Sequence, residues 1–150
     1  DPSLLVKFSV MAGFEELIAF ETRDKNDAPI YHTNVLMSVG KSFAVICIEA
    51  ISDEYMRTKV LTSLSQDREV IDISFEQMSQ FCGNILNLES NNGESLIIMS
   101  ESAYRGFTEE QIDTLTKHGS LVVNPIPNIE LVGGGSCRCM LAEVFLPKTR

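Results

Sequence analysis

The sequence predicts an α/β fold assembled from repeated hairpin–helix–strand units, and three observations predict it. Short apolar strands alternate with helices of 3.6-residue period along most of the chain. The order hairpin, helix, strand occurs twice and begins a third time. Aligning TNVLMSVG with GNILNLES sets Asn34 against Asn84 at an offset of 50 residues, and RCMLAEVF sets Cys139 against Asn84 at 55. A period near 50 is typical of repeat architectures such as propellers, whose units are too small to bury their own faces and must pack on neighbours. The expected domain is a single one over 1–150, with units at about 33–74 and 82–124 and a partial one at 138–150. These are too few to close a ring. The expectation is therefore an incomplete set of blades, with further sequence on the N-terminal side.

Each element has its own signal. After Asp1-Pro2-Ser3, the spacing of Leu4, Leu5, Phe8 and Met11 predicts a helix that stops at Gly13. ELIAF over 16–20 predicts a strand, and TRDKNDAP over 22–29 a turn-forming loop. A short strand over 34–39 turns at Gly40-Lys41 into FAVICI over 43–48, continuously apolar and so buried on both faces. Ser52-Asp53-Glu54 supplies a cap and an early acid for a helix whose stripe is Met56, Val60, Leu61 and Leu64. A strand over 70–73 completes the unit.

The second unit repeats this order. A short helix over 75–82 leads to strands at 85–88 and 96–99, joined by the turn Asn91-Asn92-Gly93. Thr108-Glu109-Glu110-Gln111 caps a helix through Leu115 that ends at Gly119, and 121–123 is a strand. In GGGSCRCMLAEVFLP a glycine loop is expected to run into the first strand of a third unit.

Composition narrows the function. At 44% hydrophobic and 22% charged, 150 residues can bury one core. A net charge of −9 argues against a phosphate-tracking surface, so no nucleic-acid partner is expected. No apolar run approaches the roughly 20 residues of a membrane span. Cys47, Cys82, Cys137 and Cys139 form neither a paired metal-ligand set with the lone His32 and His118 nor a disulfide framework. Reduced thiols in a cytoplasmic setting are expected, with no metal or cofactor.

The chemistry gathers where the units begin. His32, Gly83-Asn84 and Cys139 all sit at the start of the first strand of their unit, and equivalent positions of a radial array converge. Cys139 follows Gly133-Gly134-Gly135, whose backbone permits close approach of a ligand and whose N–H groups suit developing negative charge. The neighbouring Arg138 favours a thiolate. The same Cys139 is also readable as a small apolar side chain after a flexible loop. Cys137 competes as nucleophile or partner thiol, and on a strand it would share a face with Cys139. His32 is the candidate general acid/base, against a hydrogen-bonded structural role. His118, in the last turn of its helix, reads as structural. Asn34 and Asn84 open strands and are candidate ligand contacts. Glu49, Glu76, Glu101 and Glu130 read as a solvated face.

IYHTNVLMSVG, FAVICIEAI, REVIDISFEQMSQFCGNILNL, LTKHG and VGGGSCRCMLAEVFLP together resemble the C-terminal half of the amidinotransferase-like branch of the guanidine-modifying (pentein) superfamily. The likeness is nearest to citrulline hydrolases; arginine deiminase, agmatine deiminase and dimethylarginine dimethylaminohydrolase are more distant. The resemblance implies a five-bladed α/β propeller of ββαβ units. It implies a nucleophile at Cys139, by the GGG-x-x-x-C spacing, and an acid/base at His32. Asn34, Gly83, Asn84 and Arg138 are the implied substrate contacts. Related deiminases carry His-x-Asp, where Asn34 stands here; a neutral amide suits a neutral ureido group. The implied activity is hydrolysis of a ureido or guanidino C–N bond in a citrulline- or arginine-like amino acid. Amidino transfer by the same thiol, or a non-catalytic binding role, is the alternative.

The family's further acidic contacts lie N-terminal to the His, and only 31 residues precede His32. The 150-residue chain alone is therefore expected to lack part of the substrate site and to be inactive without another segment. Bare apolar edges predict association with that segment or with further copies.

Overall fold

The computed structural model describes residues 2–143. Helix α1 (Pro2–Ala12) stands at one end and buries only Ser9. Its apolar side chains face outward, with Leu4 62%, Phe8 60% and Met11 88% exposed. A single helical turn, α2 (Thr33–Leu36), opens the first unit and runs into β1 (Met37–Val39). Strand β2 (Phe43–Ile46) is buried along its whole length. A 3-10 turn (Ile48–Ala50) and α3 (Glu54–Leu64) follow, and β3 (Glu69–Asp72) ends the unit.

The second unit begins with α4 (Phe75–Ser79) and continues through β4 (Leu86–Glu89) and β5 (Ser95–Ser100). Helices α5 (Glu101–Gly106) and α6 (Glu109–His118) lead to β6 (Ser120–Asn124). Two short helices, α7 (Pro127–Gly133) and α8 (Cys137–Met140), close the described chain.

The two units have the same topology. β1 pairs antiparallel with β2, which pairs parallel with β3; β4, β5 and β6 do the same. Local chemistry explains the helix starts. Asp53 accepts from the Met56 N–H, and Ser74 and Thr108 form reciprocal capping boxes with Gln77 and Gln111. One apolar core runs through both units, from Phe43, Ile46 and Ile51 to Ile85, Ile97, Met99 and Leu115.

Polar contacts also join the units. His118 bonds Glu69 through Nε2 at 2.9 Å and Ser42 through Nδ1 at 2.8 Å, and its ring lies 5.4 Å from that of Phe43. The Gln111 side-chain amide donates to the Asp72 carbonyl at 2.7 Å. Gly83 lets the backbones meet: a Cβ there would lie 2.6 Å from the Val35 carbonyl oxygen and 2.9 Å from the Leu36 carbonyl carbon.

Several expectations need correction. Residues 16–20 form no strand; nearby pairing is confined to the bridges Thr22–Ile51 and Arg23–Pro29, so this segment has no sheet neighbour among the described residues. Residues 33–36 are helical, because the Val35 N–H bonds His32 O at 3.1 Å before the chain extends. β2 ends at Ile46, where the Cys47 N–H turns to Leu36 O at 2.9 Å. The glycine loop leads into α8 and not directly into a strand, so Cys139 sits on a helical turn. Cys137 is 2% exposed whereas Cys139 is exposed, so the two thiols do not share a face. Glu130 is buried, not solvated. Residues 144–150 of the expected third strand lie outside the described residues. Among the described residues, two small sheets and no closed barrel are present, and no helix is long and apolar enough to cross a membrane.

Candidate functional site

The site is built where the starts of the two units meet the segment that follows the second. His32 occupies the N-cap position of α2 in extended backbone, makes no side-chain cap bond, and packs its ring 4.9 Å from that of Tyr31. Its imidazole is exposed and free of the capping duty that would hold it against the backbone. Asn34, two residues on, is half-buried.

The opposite wall comes from the glycine loop. Helix α7 ends at Gly134 in the left-handed region (φ 64°), a conformation that favours glycine. Gly135 is needed for a different reason: a Cβ there would lie 3.0 Å from both Cβ and Sγ of Cys139. Below the loop, Ser136 is fully buried and donates from Oγ to Glu130 Oε1 at 2.7 Å. Ser102 donates to the other Glu130 oxygen at 2.6 Å. The carboxylate thus ties α7 and α5 to the residue that starts α8.

Asn84 links the two units and the segment after them. It is 2% exposed, and its side-chain N–H group donates to Asn34 O at 2.8 Å and to Cys139 Sγ at 3.1 Å. Its backbone carbonyl oxygen accepts from the Arg138 N–H at 3.5 Å. The positions aligned at offsets of 50 and 55 residues are therefore in contact.

His32, Asn34, Gly133 to Gly135 and Cys139 line one cavity of about 380 Å³, with Tyr31 and Val35 beside them. That is a size that accommodates a small ligand. Asn84 and Gly83 lie behind this wall and do not line it. Arg138 lines a separate cavity with Asn87, Glu89 and Glu143.

All four cysteines are free thiols. Burial pushes the Cys47 thiol up to about 11 and the Cys82 thiol up to about 12. Burial also raises Cys137, with the Glu130 charge adding to it and a Ser136 hydrogen bond opposing it. These three are held in the neutral, unreactive form at neutral pH. Cys139 is the exposed thiol, and it faces the cavity that His32 lines. Among the described residues, no group of three or more His, Cys, Asp or Glu could hold a metal.

Residues 1–146 match the family model described as "N,N dimethylarginine dimethylhydrolase, eukaryotic". The chain belongs to this family. The dimethylarginine hydrolases lie within the guanidine-modifying (pentein) group that the sequence motifs resemble, in a branch those motifs rank as more distant than the citrulline hydrolases.

Among solved structures, this dimethylarginine hydrolase family member is similar to AgrE in ternary complex with ornithine and NAD+, with TM-score 0.65 and 19% identity over 90% of this chain. It is also similar to ArgZ, an arginine dihydrolase from the ornithine-ammonia cycle in cyanobacteria, with TM-score 0.66 and 16% identity over 96% of this chain. A mutant of AgrE with L-arginine gives TM-score 0.57 and 16% identity over 79%. These likenesses show a shared α/β fold. The chain spans 18% of the AgrE chain and 22% of the ArgZ chain. No curated protein sequence matches it.

Sequence reasoning missed Glu130 and Ser136 in this family member, because a buried acid and its serine donors carry no periodic signal. The convergence of Asn84 and Cys139 was expected from their aligned positions, and the hydrogen bond between them realises it.

Proposed function

We propose that the protein is a cysteine-dependent hydrolase acting on a guanidino or ureido C–N bond of an arginine- or citrulline-like amino acid. The observation that carries this reading is one cavity of about 380 Å³ bounded by an exposed thiol, an uncommitted imidazole and three glycines. Family membership supports the guanidino class, with N-methylated arginine as its named substrate. Asn34, a neutral amide where related deiminases carry Asp, supports a neutral ureido group as well.

In the proposed reaction, the Cys139 thiolate attacks the central carbon of the guanidino or ureido group. The C–N bond to the leaving amine or ammonia breaks as His32 delivers its proton. A covalent thiol intermediate remains. His32, now neutral, takes a proton from water, which adds to the same carbon; the C–S bond breaks and the thiolate returns. The backbone of Gly133 to Gly135 admits the planar group close to the sulfur.

The test offers dimethylarginine, arginine and citrulline to the full-length protein, with and without an amine acceptor, and identifies products by mass spectrometry. Expected are release of amine or ammonia, and its loss in Cys139→Ala and His32→Ala. Full turnover by Cys139→Ala would sink the proposal. Amidino transfer to the acceptor would replace hydrolysis with the transferase chemistry.

A further inference from the structure

We infer that Asn84 is the hydrogen-bond donor that stabilises the anionic sulfur of Cys139, and that the Asn34 carbonyl fixes which end of the Asn84 amide faces that sulfur. This rests on Cys139 as the nucleophile.

The two ends of an asparagine amide are nearly the same shape, so its partners must decide its orientation. The Asn34 backbone oxygen can only accept. The amide end 2.8 Å from it must therefore be the NH2 group. Of that group's two hydrogens, one goes to Asn34 O and the other is directed at Cys139 Sγ, 3.1 Å away. A flipped amide would set oxygen against oxygen and lose both bonds.

The donor is also sheltered. Asn84 is 2% exposed, and its Oδ1 is buried without a hydrogen-bond partner among the described residues. An amide that leaves its own oxygen unmatched while spending both hydrogens is organised around what the NH2 end does. A hydrogen bond to an ionised acceptor is roughly twice as strong as a neutral one, so this donor favours the thiolate over the thiol.

The other ionisable groups around the sulfur are His32 and Tyr31 across the cavity, Arg138 next along the turn with Glu143 on the neighbouring cavity, and Cys137 with Glu130 behind Ser136. The hydrogen bond to Sγ comes from none of these groups but from Asn84.

The experiment measures iodoacetamide alkylation of the full-length protein across neutral to alkaline pH, site by site by peptide mass spectrometry, beside turnover. In Asn84→Ala the Cys139 alkylation profile moves to higher pH, and alkylation near neutrality slows about tenfold. In Asn84→Asp it slows further, because a carboxylate replaces the donor. Turnover falls through kcat with little change in KM. Cys47 and Cys82 serve as folding reporters: they stay unlabelled while the core is intact. If Asn84→Ala exposes them, Asn84→Asp, which keeps the side chain's shape, decides. Unchanged Cys139 profiles in folded variants, with Cys139→Ala still inactive, overturn this inference and leave the nucleophile standing. Turnover by Cys139→Ala overturns both.

Discussion

Gly83→Ala asks whether position 83 serves the approach of the two units or a ligand. The added methyl would sit 2.6 Å from Val35 O and 2.9 Å from the Leu36 carbonyl carbon. Ordinary contact begins near 3.4 Å, so the overlap is about 0.8 Å, and both obstacles are backbone. No side chain can rotate away. α2 must separate from the start of β4, against the bond from the Cys47 N–H to Leu36 O and the bond from Asn84 to Asn34 O. Overpacking against rigid neighbours costs about 1–3 kcal/mol, and the upper end applies here. For a domain of this size, each kcal/mol lowers Tm by about 2–4 °C. A melting curve of the full-length variant should therefore fall by roughly 6–12 °C, and labelling of Cys139 should change with it as the Asn84 contact lengthens. A direct ligand contact at Gly83 would instead raise KM with melting unchanged. A variant that melts within about 1 °C of the parent would refute the packing argument.

Two more outcomes follow from the buried groups. Cys47 and Cys82 are held neutral in the folded chain, to about 11 and about 12 against an ordinary 9.0, so their stabilisation is complete below pH 9.0 and is lost as pH rises through the folded values. Urea unfolding at about pH 10 should show about 3 kcal/mol less stability than near neutrality, and a flat profile would mean these thiols are not shielded. Glu130→Ala leaves the buried Ser136 hydroxyl and the half-buried Ser102 hydroxyl without their acceptor. It should cost about 2–3 kcal/mol in the same assay and make Cys137 labelling measurable; retained stability with Cys137 still protected would argue against the carboxylate as the tie between α5, α7 and α8.

The repeat was legible because each unit carries matching chemistry. FAVI and LIIM are both central strands, and both flanking strands follow the same pairing. Ser74, Thr108 and Asp53 announce helix starts by side chains that bond only locally. The turn at Thr33–Leu36 was not legible, since a single helical turn is too short to show a 3.6-residue period and TNVL runs directly into a strand. Nor was α8, where the sequence CRCM has strand-like alternation but the buried Ser136–Glu130 pair starts a turn. The same helical turn sets Arg138, the residue beside Cys139, on the cavity with Asn87 and Glu143. His118 read correctly as structural because its helix position alone assigned it, and its bonds to Glu69 and Ser42 hold the units together.

The contact at Asn84 ties the reactivity of the thiol to the spacing of the units. Asn34 belongs to the first unit, Asn84 to the second, and Cys139 to the segment after it; one NH2 group spans all three. Hydrogen-bond strength falls steeply with distance and misalignment. A few tenths of an ångström between the units therefore changes the sulfur's donor before it changes the cavity's outline. That spacing is set by Gly83 against Val35, by His118 between Glu69 and Ser42, and by the Gln111 side chain on the Asp72 carbonyl at 2.7 Å. Substitutions at Gly83, His118 or Gln111 should act on the rate at which Cys139 reacts more than on which ligand fits, because none of these three lines the cavity.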